Sequence, residues 1–260
     1  MTTVLVMTDG MRPDALPLVN TPHLDGLQAR GASTMTGTSV MPSVTLPCHT
    51  SIFHSVPPQR HGIVTNIWQP MARPLPGLVD QARAAGKRCH FYHNWEPLRD
   101  LNRPEALDFS YYRNNCYTPD GDLVIAQVAA ETIRADRPDF AFVYLGTIDV
   151  AGHVFGWMAD AYLRQIEAVD SAIGCVIEAL QPEDTLLLHS DHGGHERTHG
   201  TDMPEDMTIP WMIAGPGIRQ GYAIQGPVSL LDSAPTLARV LGVAAHPHWE
   251  GRCIDEAFLA

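Results

Sequence analysis

Short runs of apolar and β-branched residues alternate along this chain with segments that carry apolar residues at helical spacing, and that alternation admits few folds. The runs Thr3 to Thr8, Arg88 to His93, Phe140 to Thr147, Thr185 to Ser190 and Ile209 to Ala214 read as strands. The segments His23 to Arg30, Leu75 to Ala85, Leu123 to Ala135, Ala159 to Leu180 and Leu230 to Leu241 read as helices. Gly31, Gly86 and Gly242 stand where helix ends need them. The pattern predicts a three-layer α/β/α sandwich around a mainly parallel sheet. No repeat or Gly/Ser linker divides the 260 residues, so we expect a single domain over residues 1–260, with a small lid or insertion around residues 65–119, where aromatic residues and prolines mix.

In open α/β sheets, ligands bind beyond the carboxyl ends of the strands. Three of the predicted strands run out into an aspartate there: Asp9, Asp149 and Asp191. Histidines accompany them, with His153 four residues after Asp149, His192 beside Asp191, and His199-Gly200 downstream. Carboxylates and imidazoles brought together suit zinc or manganese, and this donor set is large enough for two divalent cations. The segment Ser43-Val44-Thr45-Leu46-Pro47-Cys48-His49 offers three nucleophiles, Ser43, Thr45 and Cys48, at the mouth of a predicted helix whose free N–H groups favour an anion.

Composition narrows the partners. With 29 acidic against 17 basic residues, the net charge of −12 argues against a nucleic-acid polymer, which requires a basic face. The longest unbroken apolar run, Phe140 to Ile148, is too short to span a membrane, so no membrane partner is expected. Five scattered cysteines read as free thiols, and the opening residues lack a signal-peptide pattern. Both features lead us to expect a cytoplasmic protein. Nothing in the composition fixes an oligomeric state.

Val6-Met7-Thr8-Asp9-Gly10-Met11-Arg12-Pro13-Asp14, Thr45-Leu46-Pro47-Cys48-His49 and Arg60-His61-Gly62-Ile63-Val64-Thr65-Asn66 together resemble segments of the alkaline phosphatase superfamily, within it the nucleotide pyrophosphatase/phosphodiesterase family. The runs His199-Gly200, Pro204-Glu205-Asp206 and Ile209-Pro210, and Leu231 to Leu237, extend the likeness over most of the chain. The resemblance selects Thr45 as nucleophile and implies that Asn66 binds a phosphoryl oxygen. It implies Asp149, His153 and His199 as ligands of one metal, and Asp9, Thr45, Asp191 and His192 as ligands of the other. The implied activity is hydrolysis of phosphodiesters or nucleotide pyrophosphates in a small phosphorylated substrate, through a covalent phosphothreonine and two divalent ions, zinc or manganese.

The same machinery would serve a phosphonate hydrolase or a phosphosugar mutase, and a non-catalytic metal-binding module is a further alternative. The chain departs from the family at Leu46 and Cys48, where Phe and Asn are usual. Tyr144 is placed to pack against a leaving group. Cys48 is followed by His49-Thr50-Ser51-Ile52 and not by the Cys-x-Pro-x-Arg of sulfatases, which argues against sulfate ester chemistry. His49 and His61 read as braces of the nucleophile segment, and His189 as a residue packed beside the sheet. His195, Glu196 and Arg197 receive no role.

Overall fold

The computed structural model describes residues 1–101 and 104–259. Strands β1 (Thr3–Thr8), β2 (Ala32–Thr38), β3 (Cys89–His93), β4 (Phe109–Tyr112), β5 (Phe140–Leu145), β6 (Thr185–His189), β7 (Thr208–Ala214) and β8 (Tyr222–Ala223) form one sheet in the order β4-β3-β5-β1-β6-β7-β2-β8. Only β7 opposes the common direction. The helices are α1 (Pro22–Arg30), α2 (Thr45–His54), α3 (Pro58–His61), α4 (Leu78–Ala84), α5 (Gly121–Asp136), α6 (Thr147–Phe155), α7 (Asp160–Ile177), α8 (Pro204–Met207) and α9 (Ser233–Leu241).

Successive side chains of a strand leave the sheet on opposite faces, and here both faces are covered. Leu5 and Met7 of β1 pack with Phe140 and Phe142 beneath α2, α4 and α9; Val4 and Val6 pack with Ala141 and Val143 against α1, α5 and α7. Burial on both sides explains why the central strands read as unbroken apolar runs, and it yields the expected three-layer sandwich.

Several boundaries differ from the sequence reading. The strand expected to run to Thr147 stops at Leu145, because Gly146 opens α6. Helix α4 starts at Leu78 and not at Leu75, where the Asp80 carboxylate accepts the Gly77 N–H at 2.7 Å and so closes the first turn. The helix expected over Leu230 to Leu241 is a 3-10 turn followed by α9, and α7 ends at Ile177. Gly242 and Gly86 take the left-handed conformation expected of helix ends, whereas Gly31 is extended. The segment 65–119 contributes α4, β3 and β4 to the layers, and its loops bring Trp95, Cys116 and Tyr117 to the carboxyl edge of the sheet. No helix among the described residues is long and apolar enough to cross a membrane.

Candidate active site

The three central strands β5, β1 and β6 are neighbours, so their carboxyl ends deliver Asp149, Asp9 and Asp191 side by side. Asp149 sits in the first turn of α6, and His153, one turn later on the same face, brings its Nε2 to 3.4 Å from Asp149 Oδ2. The buried carboxylate of Asp122 anchors that helix by accepting the N–H groups of Gly146 (2.9 Å) and Thr147 (3.1 Å), the Thr147 hydroxyl (2.6 Å) and the Asn94 amide (2.7 Å). Gly10, at φ +71°, lets the loop after β1 pass so close to α6 that an added Cβ would lie 3.0 Å from Asp149 Cα.

His199 Nε2 closes on Asp149 Oδ1 at 3.6 Å, and His192 Nε2 lies 3.2 Å from Asp9 Oδ1 and 3.4 Å from Asp191 Oδ2. Two groups result. One joins Asp149, His153 and His199; the other joins Asp9, Asp149 and His192, with Asp191 meeting it at His192. Asp149 therefore belongs to both groups, whereas the resemblance assigned it to one.

The donor chemistry fits divalent cations. Asp9 Oδ1, Asp149 Oδ1 and Asp191 Oδ2 are buried without a hydrogen-bond partner, although buried carboxylate oxygens normally have one. Nδ1 of His153, His192 and His199 faces the carbonyls of Arg197 (2.9 Å), Gly193 (2.8 Å) and Ser43 (2.8 Å). A carbonyl only accepts, so each Nδ1 carries a proton and each Nε2 is the ring nitrogen turned into the site, the orientation metal-binding histidines use. Ligands about 2.0–2.1 Å from a tetrahedral ion lie roughly 3.3 Å apart, close to the separations of 3.2–3.6 Å found here.

Burial, and then the neighbouring Asp191 and Asp149, hold the Asp9 carboxyl well above the usual carboxylate range. Burial, and then Asp149, push Asp191 up to about 8. Burial, and then His192, push His199 down to about 2. Crowded, buried carboxylates form a centre in which positive charge is wanted.

Helix α2 supplies the hydroxyl. Thr45 opens it, with Oγ1 3.3 Å from His192 Nε2. The two rival nucleophiles are committed elsewhere. Ser43 Oγ donates to the Thr201 carbonyl at 2.8 Å, and the buried Cys48 thiol, 3.4 Å from Ser39 Oγ, is held strongly protonated by burial. Asn66 Oδ1 accepts the Leu46 N–H at 3.0 Å, which orients its amide beside Thr45. Asp9, Thr45, Asn66, Asp149, His153 and His199 line a cavity of about 290 Å³, whose other wall includes Trp95, Tyr117, Val150 and Val154. Among the described residues that wall holds no Lys or Arg.

Residues 3–205 match the family described as type I phosphodiesterase / nucleotide pyrophosphatase. The chain belongs to that family. Within the alkaline phosphatase superfamily its relatives are diverse. A phosphopentomutase of Rhizobium leguminosarum bv. trifolii is 30% identical over 67% of this chain and 40% of its own length. An uncharacterized pyrophosphatase/phosphodiesterase of Schizosaccharomyces pombe is 26% identical over 74% of this chain and 44% of its own. The chain thus spans less than half the length of these curated relatives. Human ectonucleotide pyrophosphatase/phosphodiesterase 5 superposes over 100% of both chains with a TM-score of 0.83 at 16% identity, which establishes the alkaline phosphatase-like fold.

The family's Asp-Gly-x-Arg-Pro-Asp segment has a structural purpose here. Arg12 donates to the Gly194 carbonyl at 2.9 Å, tying the loop after β1 to the loop after β6, while Trp157 and Tyr162 donate to the Gly10 carbonyl at 2.9 and 3.0 Å and tie it to the α6–α7 connection and α7. Tyr144 stands beside the cation groups as well as the cavity. It lines the cavity, and its hydroxyl donates to Asp9 Oδ2. His49 Nδ1 donates to the Thr45 carbonyl at 2.7 Å and His61 Nε2 meets Ser51 Oγ at 3.0 Å, so both touch α2 as braces would. His189 is fully buried against Ser233 Oγ at 3.0 Å. Asp122 and Tyr144 escaped sequence reasoning as supports of the site. Only the parallel pairing of β1 with β5 reveals that Tyr144 shares a level with Met7, two residues before Asp9.

Proposed function

We propose that the chain is a metal-dependent hydrolase of phosphodiester or nucleotide pyrophosphate bonds, working as a single alkaline phosphatase-like unit on a small phosphorylated substrate. The observation that carries this reading is the convergence on one cavity of Thr45 Oγ1, Asp9, Asp149, His153 and His199, with His192 and Asp191 in contact directly behind them. Asp149, His153 and His199 would hold one divalent cation, and Asp9, Thr45, Asp191 and His192 the other, with zinc or manganese suiting these donors. When bound, the two ions supply the positive charge that draws in an anionic phosphoryl group and acidifies hydroxyl and water.

The protein's own residues supply the rest. Thr45 Oγ1 gives up its proton to solvent and attacks phosphorus; the new P–O bond forms as the bond to the leaving oxygen breaks, that oxygen taking up a proton from solvent, and a phosphothreonine results that still carries the substrate's other ester group. The Asn66 amide is held by Leu46 N–H with its N–H groups left over to donate to a non-bridging oxygen, whose charge grows in the transition state. Water then attacks the phosphothreonine, releasing the product and restoring the hydroxyl. The absence of Lys and Arg from the described cavity wall leaves the cations as the source of attraction in a protein of net charge −12.

Initial rates on an aryl phosphodiester, an aryl monoester, an aryl phosphonate and an aryl sulfate, with bound metals quantified, test the reading. The diester should be turned over fastest, and a protein that hydrolyses none of the four contradicts the proposal. A second reading, phosphosugar mutase, is favoured by the 30% identity to a phosphopentomutase. Phosphate returned to a pentose phosphate instead of released to water would select it.

A further inference from the structure

The reading above leaves His195 and the run Pro204-Glu205-Asp206 without a task, yet Asp206 is wholly buried and fully engaged. Its Oδ1 faces His195 Nδ1 at 2.7 Å; its Oδ2 accepts the Thr201 N–H at 2.9 Å and the Thr201 hydroxyl at 2.8 Å. These two anchors straddle His199, four residues after the first and two before the second. We propose that Asp206, through His195 and Thr201, is a positioning residue that sets His199 in the cation group it shares with Asp149 and His153. This inference rests on the two-cation reading of the site.

Before His199 the segment from 193 to 201 is held by Arg12 on the Gly194 carbonyl (2.9 Å), the Trp157 backbone N–H on the Glu196 carbonyl (2.7 Å) and His153 Nδ1 on the Arg197 carbonyl (2.9 Å). His195 and Thr198 bond each other's backbone at 2.9 Å in both directions, which makes the segment a tight turn without making it fast to the body of the protein. Attachment comes at one end from Gly193 and Gly194, whose N–H groups donate to the carbonyls of Asp206 (2.8 Å) and Glu205 (2.9 Å). Gly193 permits that approach, because a Cβ there would lie 2.1 Å from the Glu205 oxygen. Beyond His199, the Thr201 end is held by the Asp206 carboxylate together with Ser43 Oγ on the Thr201 carbonyl.

Thr201 is also where the ring of His199 is registered. The Thr201 carbonyl accepts Ser43 Oγ at 2.8 Å, and the Ser43 carbonyl accepts His199 Nδ1 at 2.8 Å. Releasing Thr201 therefore loosens the carbonyl that aims His199 Nε2. A buried carboxylate with every partner in place confers rigidity, and removing one partner undoes it. The other cation group does not pass through this carboxylate, because His192 is aimed by the Gly193 carbonyl next to it in sequence. The consequence of cutting the anchor is thus confined to one equivalent of metal.

The test is equilibrium titration of Zn2+ into the metal-free full chain against a chromophoric chelator, with the melting temperature of each metal-free variant measured alongside. The parent should take up two equivalents. In Asp206→Ala and His195→Leu one equivalent should weaken by about 10–100-fold, as loss of a ligand's supporting hydrogen bonds does, while the other stays within about twofold of the parent. His195→Asn, which returns an N–H donor toward Asp206, should recover most of the loss. Should Asp206→Ala fail to fold, the partly exposed His195 carries the test. Two equivalents bound by His195→Leu with parental affinity would overturn the inference. So would parallel weakening of both equivalents with a lowered melting temperature. A parent that does not take up two equivalents would instead overturn the two-cation reading beneath it.

Discussion

Gly10 is the point where the loop after β1 touches α6, and replacing it by alanine perturbs fold and site together. Its φ of +71° lies in the left-handed region, which costs an L-residue about 1–2 kcal/mol. The added Cβ would lie 3.0 Å from Asp149 Cα, 3.1 Å from its Cβ and 3.2 Å from Oδ1, so it meets backbone and not a yielding side-chain tip. Such overpacking costs about 1–3 kcal/mol, and the stiffer unfolded chain returns about 0.4–1 kcal/mol. The net loss is about 2–4 kcal/mol, which for a chain of this length lowers the melting temperature by roughly 5–15 °C. Displacing Asp149, shared by both ligand groups, should also lower kcat/KM at least about tenfold even below the melting transition. Differential scanning calorimetry and initial rates on an aryl phosphodiester read both effects. A melting temperature within about 2 °C of the parent, with unchanged rates, would refute the claim that the two loops are in tight contact at this glycine.

Other outcomes follow from single groups. Burial pushes His61 down to about 4 from an ordinary 6.5, so the unfolded chain takes up the proton first; its contribution is present above pH 6.5 and is lost as pH falls toward 4. That loss runs at about 1.4 kcal/mol per pH unit, up to about 3 kcal/mol, and urea unfolding of His61→Gln should show a correspondingly shallower acid limb. Asn66→Ala should lower kcat on a diester by about 100-fold with little change in the melting temperature, since Asn66 is exposed and its bond to Leu46 is peripheral to the core; parental kcat would remove its role. Tyr144→Phe strips Asp9 of a buried hydrogen bond worth about 1.5–3 kcal/mol, which calorimetric Zn2+ titration should register as roughly 10–100-fold weaker uptake at one equivalent.

Burial explains what could be read from the chain. Strands β5, β1 and β6 lie covered on both faces, so they appear as apolar runs, and the aspartates that follow them stand at a position with known meaning. Strand β2, Ala-Ser-Thr-Met-Thr-Gly-Thr, carries no such run; its partners β7 and β8 draw it into the sheet through backbone hydrogen bonds that no side-chain pattern announces. Strand β5 and the start of α6 read as one run because only Gly146 and Thr147 interrupt the apolar residues from Phe140 to Ile148, and what separates them is Asp122, a capping carboxylate from another helix. His153 and His199 lie further along the segments that follow β5 and β6, but Asp9, Asp149, Asp191 and His192 were legible because each stands within four residues of a strand end. Their supports were not. Tyr144, Asp122 and the pairing of Asp206 with His195 depend on proximity that only the folded chain creates.

Thr45 as the attacking group is the center of this account, and trapping the covalent intermediate tests it most directly. The purified chain, mixed with an excess of aryl phosphodiester and acid-quenched within the first turnover, should yield on peptide mapping a phosphoryl group, still esterified by the substrate's second alcohol, on Thr45, absent from Thr45→Ala. Phosphate found on Ser43 or on another residue would contradict the account. So would a burst of released alcohol with no phosphorylated peptide at all.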